Sequence, residues 1–127
     1  MKFGFSRTVE LPFDRAIERV TEELLKEGFG VLTKIDVQET LKKKLGADYP
    51  RYVILGACNP TFAYQALAVD EQIGLLLPCN VIVYDHEGAT EVAAFDPRVI
   101  TTLHDREEIE PIAREMAKRL ERVIAKV

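Results

Sequence analysis

Two cysteines, each followed by an asparagine, are the residues of this chain whose types could do chemistry together. The pairs are Cys58-Asn59 and Cys79-Asn80, and the sequence contains no other cysteine or asparagine. Each pair joins an ionisable sulfur to an amide that both donates and accepts hydrogen bonds. Each also lies where an apolar run meets a turn or a helix start, so we expect any functional site to be built from these residues.

The two thiols allow several kinds of chemistry, and the sequence leaves them open. A helix N-terminus lowers the pKa of a nearby thiol, so Cys58 could be a nucleophile or redox centre with Cys79 as the resolving thiol. A disulfide between them would stabilise the fold by about 3 kcal/mol. Two thiolates could also hold a soft ion such as Cu(I). Alternatively, Asn59 and Asn80 could hydrogen-bond a small polar or anionic ligand.

Each of these residues also has a purely structural interpretation. Asn59 before Pro60 is a preferred helix start, because the amide caps the helix and proline at the first helical position loses no useful donor. Cysteines beside apolar runs behave as small buried hydrophobic residues. Asn80 could simply satisfy a turn.

The sequence lacks the residue patterns of the common catalytic, phosphate-binding and zinc sites. The sequence contains no Ser-His-Asp pattern and no glycine-rich phosphate loop. The two histidines, His86 in a predicted hairpin turn and His104 in a predicted loop, have no ligand partner at zinc-site spacing. Cys58 has no evident base. We therefore predict no resident metal and no cofactor, and the sequence leaves enzymatic activity undecided.

Hydrophobic periodicity predicts the elements that position these residues. The predicted strands span residues 2–9, 30–37, 51–57, 81–84 and 90–95, the last two joined by a turn at 86–88. The predicted helices span 13–27, ended by a left-handed Gly28, then 38–45, 61–71 and 106–126 with a tightened first turn at Pro111. This order predicts an α+β fold with two layers, a mainly antiparallel five-stranded sheet carrying helices on one face. A parallel α/β arrangement is the alternative.

Whether the two Cys-Asn pairs meet depends on how strands 51–57 and 81–84 pair. If they are antiparallel neighbours, the end of one lies beside the start of the other, and both pairs gather at one end of the sheet. If they are parallel, the cysteines are roughly 20 Å apart. The sequence favours the antiparallel arrangement because the 86–88 hairpin already makes part of the sheet antiparallel.

Composition limits the partners and the location. The 127 residues predict a single domain, 1–127, with a net charge of −4. Without a basic stripe we expect no nucleic acid, and without an apolar run of about 18 residues we expect no membrane. The absence of a secretory signal predicts a cytoplasmic protein with reduced thiols. Scarce amides and plentiful Lys, Arg and Glu are compatible with a thermophilic source.

Two basic features have alternative interpretations. Arg7 falls on the apolar face of the first strand, where either its stem covers the edge of the sheet or its guanidinium binds an anion. Lys42, Lys43 and Lys44 predict a solvated helix face, with a phosphate site as the alternative.

The segments around the two pairs resemble a known family. Residues 54–60 (Ile-Leu-Gly-Ala-Cys-Asn-Pro) and 76–81 (Leu-Leu-Pro-Cys-Asn-Val), with segments 28–32, 35–37, 44–46 and 96–97 in the same order, are similar to the signature of the domain-of-unknown-function family numbered 302. The resemblance implies a TATA-binding-protein-like fold of β-α-β4-α type and a homodimer. It does not imply DNA binding, because fold does not fix function.

These observations favour a small cytoplasmic binding module whose polar pocket is lined by Cys58, Asn59, Cys79 and Asn80. Thiol-dependent redox or enzyme activity at Cys58 and Cys79 is one alternative. A purely structural dimeric domain is the other.

Overall fold

A single antiparallel sheet of five strands organises the computed structural model, which describes residues 3–127. Lys2, the first residue of the first predicted strand, lies outside the described residues. The strands are β1 (Gly4–Val9), β2 (Gly30–Asp36), β3 (Tyr52–Cys58), β4 (Cys79–His86) and β5 (Ala89–Phe95). The sheet has the order β1-β5-β4-β3-β2, and every pair of neighbouring strands within it is antiparallel. The α+β prediction is confirmed, and the parallel alternative is wrong.

Five α-helices connect and cover the strands. They are α1 (Phe13–Lys26), α2 (Val37–Leu45), α3 (Pro60–Val69), α4 (Val99–Leu103) and α5 (Ile109–Lys126). A 3₁₀ helix, Glu71–Leu76, follows α3 and leads into β4. Without the short connecting helices the order is strand, helix, four strands, helix, as the family resemblance implies.

The main core lies between one face of the sheet and the helices α1 and α5. On α1, Ala16, Val20 and Leu24 recur at helical spacing and are fully buried. They meet alternating valines and leucines of the central strands, where Val83 lies opposite Val53. Burying each such side chain contributes about 1.5–3 kcal/mol. This helix-covered face therefore supplies most of the apolar burial.

The opposite face of the sheet, which we call the open sheet face, carries a row of apolar side chains. Ile35 lies opposite Ile54, Ile54 opposite Ile82, and Ile82 opposite Ala93. In the next row the rings of Tyr52 and Tyr84 stack with centroids 5.3 Å apart. Ile35 is 48% exposed, and the other isoleucines and both tyrosines are partly exposed.

A smaller core forms beyond one end of the sheet. It joins α3 and the 3₁₀ helix to α4 and the start of α5 through Ala66, Ile73, Ile100 and Ile109. α3 ends at Val69, two residues before the end of the predicted helix 61–71. It ends there because the Asp70 carboxylate accepts a hydrogen bond from Gln72 N at 2.9 Å and so begins the 3₁₀ helix.

The structure differs from the prediction most clearly before α5. Residues 99–103 form α4 where the sequence predicted a loop, because five residues are too short to show a helical period. The long helix begins at Ile109, and Pro111 lies in its first turn. N–H groups of a first turn have no intrahelical acceptor, so the proline costs no hydrogen bond there. The expected tightening lies just before it, where Ile109 N donates to Arg106 O at 3.2 Å.

The basic residues singled out in the sequence have structural partners. Arg7 lies on the edge strand β1, and its guanidinium donates to Ala125 O at 2.5 Å and Val127 O at 3.3 Å. It therefore binds carbonyl groups at the C-terminal end of α5 rather than standing free for an anion. On α2, Lys43 pairs with Glu39 at 3.0 Å, and Lys42 with an aspartate, as expected of a solvated face.

Candidate functional site

The pairing of β3 with β4 brings the two Cys-Asn pairs to the same end of the sheet. Ala57 lies opposite Cys79, and Gly56 lies opposite Asn80. Cys58 follows Ala57 directly, so it is a neighbour of Cys79 across the strands. The predicted convergence is confirmed, and both cysteines are free.

The alternation of side chains along β4 separates Asn80 from the cysteine before it. Cys79 is only 2% exposed and belongs to the main core, whereas Asn80 is exposed and lines a shallow depression with Ile82 and Phe95. Consecutive residues of a strand point to opposite faces of a sheet. The sequence placed this segment before the strand, and the strand in fact begins at Cys79.

The other three predicted site residues line one cavity, which we call the α3 cavity. It has a volume of about 340 Å³ and lies between the ends of β2 and β3, α3, the 3₁₀ helix and α5. Cys58, Asn59 and Cys79 contribute to its wall together with side chains that sequence reasoning missed. The missed residues include Thr33, Phe62, Ala63 and Met116.

Asn59 has the structural role that the Asn-Pro pattern predicted. Its side-chain oxygen accepts from Phe62 N at 3.4 Å and so caps α3, with Pro60 at the first helical position. Its amide nitrogen donates to Glu27 O, also at 3.4 Å. Asn59 is only 6% exposed. Both polar atoms of its buried amide are therefore hydrogen-bonded to backbone groups, as buried polar groups usually are.

The carbonyl group of Glu27 joins three helices at this corner. It accepts from Asn59 of α3 and from the Arg119 guanidinium of α5 at 3.1 Å. The same guanidinium lies 5.0 Å from the centre of the Phe62 ring, within cation–π distance. Next along the chain, Gly28 has φ +88°, and a Cβ there would lie 2.9 Å from Asn59 Nδ2. The predicted left-handed glycine is confirmed, and its lack of a side chain makes room for Asn59.

Gly56 on β3 allows two residues of the cavity wall, Thr33 and Pro78, to approach the strand closely. A Cβ at this position would lie 2.2 Å from Thr33 Oγ1 and 2.9 Å from Pro78 Cγ. Neither distance is possible between real atoms, so these neighbours approach because the residue is glycine. A glycine inside a strand marks such a close approach, and this signal was available in the sequence.

The site is electrically neutral and poor in polar groups. No charged side chain of residues 3–127 lines the α3 cavity. Burial, assisted by the neighbouring Cys58, raises the pKa of the Cys79 thiol to about 12. Cys79 is therefore a neutral thiol at physiological pH, which does not favour the role of resolving thiol for Cys58 that the sequence left open.

The histidines lie away from the thiols in other surroundings. His104 Nε2 is 2.9 Å from Asp70 Oδ2, and His104 Nδ1 accepts from Arg106 N at 2.9 Å. His86 is largely exposed, next to Glu87. Within residues 3–127 no three His, Cys, Asp or Glu side chains are grouped to hold a metal ion.

A second cavity of about 370 Å³ lies beside His104 and is rich in arginine. Its three arginines are already paired: Arg98 with Asp96 at 2.7 Å, Arg106 with Glu108 at 2.9 Å, and Arg114 with Glu110. It therefore presents no surplus positive charge, and we regard the α3 cavity as the better candidate. None of the helices in the described part of the chain is long and apolar enough to span a membrane.

Comparison with known proteins gives a family. The family described as "Domain of unknown function DUF302" matches residues 5–127. A crystal structure of an uncharacterized conserved protein DUF302 from Bacillus stearothermophilus has 32% sequence identity and a TM-score of 0.92, with 99% of this chain and 98% of that chain covered. None of the curated proteins compared with this chain matches it. The match over almost the whole length and the shared fold confirm the resemblance seen in the sequence, and the chain belongs to the DUF302 family.

Proposed function

We propose that this protein is a small binding module that takes a small apolar molecule into the α3 cavity. The observation that carries the proposal is the lining, whose side chains consist of carbon and sulfur apart from those of Thr33 and Asn59. The Asn59 amide is engaged by the backbone of Glu27 and Phe62. The small polar or anionic ligand expected from the sequence stays a prediction, but the lining offers it no charged group.

The size and the rim of the cavity support this choice. About 340 Å³ lies at the lower end of the range of roughly 300–1,000 Å³ for small-molecule sites. Leu32 and Leu67 line the cavity although they are 69% and 41% exposed, so apolar side chains continue to the surface. Each methylene group buried there contributes about 0.8 kcal/mol to binding.

The test uses fluorobenzene as an apolar probe and ¹⁹F NMR as the readout. Ala63 on α3 lines the cavity, and Ala63→Leu fills part of it. Ala68 lies on the same helix and is exposed, so Ala68→Leu is the matched control. We expect saturable binding to the wild type and to Ala68→Leu, and at least tenfold weaker binding to Ala63→Leu. Equal affinity in all three proteins, or no binding to the wild type, contradicts the proposal.

The open sheet face favours a second candidate function, that of a structural homodimer. Its central row, Ile35, Ile54, Ile82 and Ala93, carries no charge, so the same surface on a second copy can pack against it around a twofold axis. Five strands about 4.8 Å apart and about 20 Å long give a footprint of roughly 480 Å² per copy. Two copies would bury roughly 1,000 Å², the lower limit for a specific interface.

Sedimentation velocity tests the dimer. Ile82→Lys puts a charge in the centre of the row, where an unpaired charge would be buried, and should yield a monomer with an unchanged circular dichroism spectrum. Leu75→Lys is the control, because Leu75 is 81% exposed and lies on the 3₁₀ helix, outside the sheet. A monomeric wild type, or a dimer that survives Ile82→Lys, contradicts this candidate.

Four further expectations from the sequence stay predictions. A cytoplasmic location fits two cysteines without a disulfide. The expectation of no nucleic-acid partner rests on the net charge of −4. A thermophilic source and thiol-dependent redox or enzyme activity at Cys58 and Cys79 also stay predictions.

A further inference from the structure

The α3 cavity is larger than a single six-membered ring needs. Its volume of about 340 Å³ is more than twice the roughly 150 Å³ of an engineered apolar cavity that holds one benzene molecule. One ring would therefore leave part of the wall without a partner, and an unfilled gap forfeits dispersion contacts. Two fused rings match the volume better.

Sulfur is concentrated in the wall of this cavity. The chain has two cysteines and two methionines, and three of these four residues, Cys58, Cys79 and Met116, contribute to the wall. Cys79 lies opposite Ala57, so Cys58, the next residue of β3, projects to the other face of the sheet. Met116 comes from the middle of α5. The sulfur-containing side chains therefore line the cavity from different sides and do not converge on one point.

A wall with dispersed sulfur suits a flat aromatic ligand. Sulfur makes favourable contacts with an aromatic ring when it lies about 5 Å from the ring, often at the ring edge. Each such contact contributes a factor of about two to ten in affinity. An extended ring system can meet several sulfur atoms at once, whereas an aliphatic ligand of equal area gains none of this contribution.

The wall also contains one aromatic ring. Phe62 of α3 lines the cavity, and the Arg119 guanidinium lies 5.0 Å from the centre of its ring. Arg119 is itself held by a hydrogen bond of 3.1 Å to Glu27 O, so the ring packs against an anchored neighbour. Aromatic pairs in offset or edge-to-face geometry are favoured beyond the area that they bury. Phe62 therefore adds to the preference for an aromatic ligand.

The same wall determines the charge of the ligand. The described residues contribute no charged side chain to it, and the Asn59 amide is already hydrogen-bonded to backbone groups. A carboxylate, phosphate or ammonium group would leave water here without a charged partner, which is costly. The cavity therefore favours a neutral ligand.

We propose that the α3 cavity selects a neutral aromatic compound of two fused rings, which contacts the sulfur-containing side chains and Phe62. This inference rests on the proposed function, because it names the class of the apolar ligand. It goes further because apolarity alone does not distinguish an aromatic molecule from an aliphatic one.

Two probes with the same number of carbon atoms, fluorobenzene and fluorocyclohexane, test the aromatic preference by ¹⁹F NMR titration. The quantity compared is the ratio of their dissociation constants, because the different costs of removing the probes from water cancel when this ratio is compared between variants. Met116→Leu removes one sulfur and conserves volume, so it should lower the preference for fluorobenzene about threefold. Phe62→Leu should lower it by a similar factor.

Ala68→Leu is again the matched control, because Ala68 lies on α3 and is exposed. It should leave the ratio of the two dissociation constants unchanged. Circular dichroism shows whether each variant is folded.

A third probe, 1-fluoronaphthalene, tests the size of the ligand. It should bind the wild type about tenfold more tightly than fluorobenzene or better, because it buries more apolar area. Ala63→Leu should weaken the binding of 1-fluoronaphthalene more than that of fluorobenzene, because the larger probe needs the space that the leucine fills.

The outcomes separate this inference from the proposed function. If none of the three probes binds the wild type, both are wrong. If fluorobenzene and fluorocyclohexane bind but their ratio is unchanged in Met116→Leu and in Phe62→Leu, the aromatic preference is overturned and the apolar site stands. If 1-fluoronaphthalene binds no more tightly than fluorobenzene, the two-ring ligand is overturned and the apolar site again stands. A lowered ratio in either variant, with tighter binding of 1-fluoronaphthalene, supports the inference.

Discussion

Removing the side chain of Asn59 should loosen the corner that joins α1, α3 and α5. Asn59→Ala deletes two hydrogen bonds, the cap to Phe62 N and the bond from Nδ2 to Glu27 O, each 3.4 Å long. The Glu27 carbonyl keeps its bond from Arg119 at 3.1 Å and is not left unsatisfied. The loss is therefore that of a cap and one net hydrogen bond.

The magnitude follows from these two interactions. Losing an N-cap costs about 1 kcal/mol, and a net hydrogen bond contributes about 0.5–1.5 kcal/mol, with the lower part of that range fitting a long bond. We expect Asn59→Ala to lower the free energy of unfolding by about 2 kcal/mol. At about 2.1 cal/mol/K per residue, the unfolding entropy of 127 residues is roughly 270 cal/mol/K, so Tm should fall by about 7 °C.

Urea denaturation and calorimetry measure the loss of unfolding free energy. Asn59→Ser separates the contribution of the helix cap from that of the hydrogen bond to Glu27 O. Serine keeps an oxygen that can cap α3 but has no group that reaches Glu27 O, so about half of the loss should remain. Asn59→Ala should leave fluorobenzene affinity nearly unchanged if the amide is purely structural. A stability change below about 0.5 kcal/mol, or a loss of binding without a loss of stability, would refute this reasoning.

Three further predictions concern other parts of the chain. In the native protein at pH 8, iodoacetamide should modify the partly exposed Cys58 and spare Cys79, whose pKa burial raises to about 12; mass spectrometry of the digested protein counts the modified sites. Gly56→Ala should cost about 1–3 kcal/mol through overpacking, and Thr33→Ala in the same chain should restore part of this in urea denaturation, because Thr33 Oγ1 is the nearest atom to the added methyl group. Glu23→Gln should lower stability at pH 7 but make no difference in strong acid, as measured by Tm against pH.

An ion pair between Glu23 and Lys26 is the reason for the pH dependence expected of Glu23→Gln. The pKa of the Glu23 carboxyl is lowered, first by the Lys26 ammonium 2.9 Å away, so its stabilisation is present above the ordinary value of 4.5 and lost as pH falls through the folded value. A Glu23→Gln effect that persists in acid would contradict this. Equal labelling of both thiols would contradict the burial of Cys79. If Thr33→Ala restored no stability to Gly56→Ala, the overpacking would not come from Thr33 Oγ1.

Much of the fold could be predicted from the sequence because its signals are local. The Asn59-Pro60 cap, the left-handed Gly28 and the hairpin turn at Glu87-Gly88 all appear where residue chemistry predicted them. The short helix 99–103 and the early end of α3 could not be predicted. The first lacks a visible period, and the second depends on a single capping carboxylate, Asp70.

The residue pattern of the chain favoured a meeting of the two Cys-Asn pairs, because antiparallel neighbours bring the start of one strand beside the end of the other, and the pairing of β3 with β4 decided it. It could not determine which side chains would share a cavity. That was decided by where β4 begins, since a strand starting at Cys79 sends Cys79 inward and Asn80 outward. Met116 lies 37 residues beyond Cys79 and joins the same wall only because α5 packs across the end of the sheet. Local chemistry fixes caps and turns, whereas long-range packing alone decides the composition of a cavity wall.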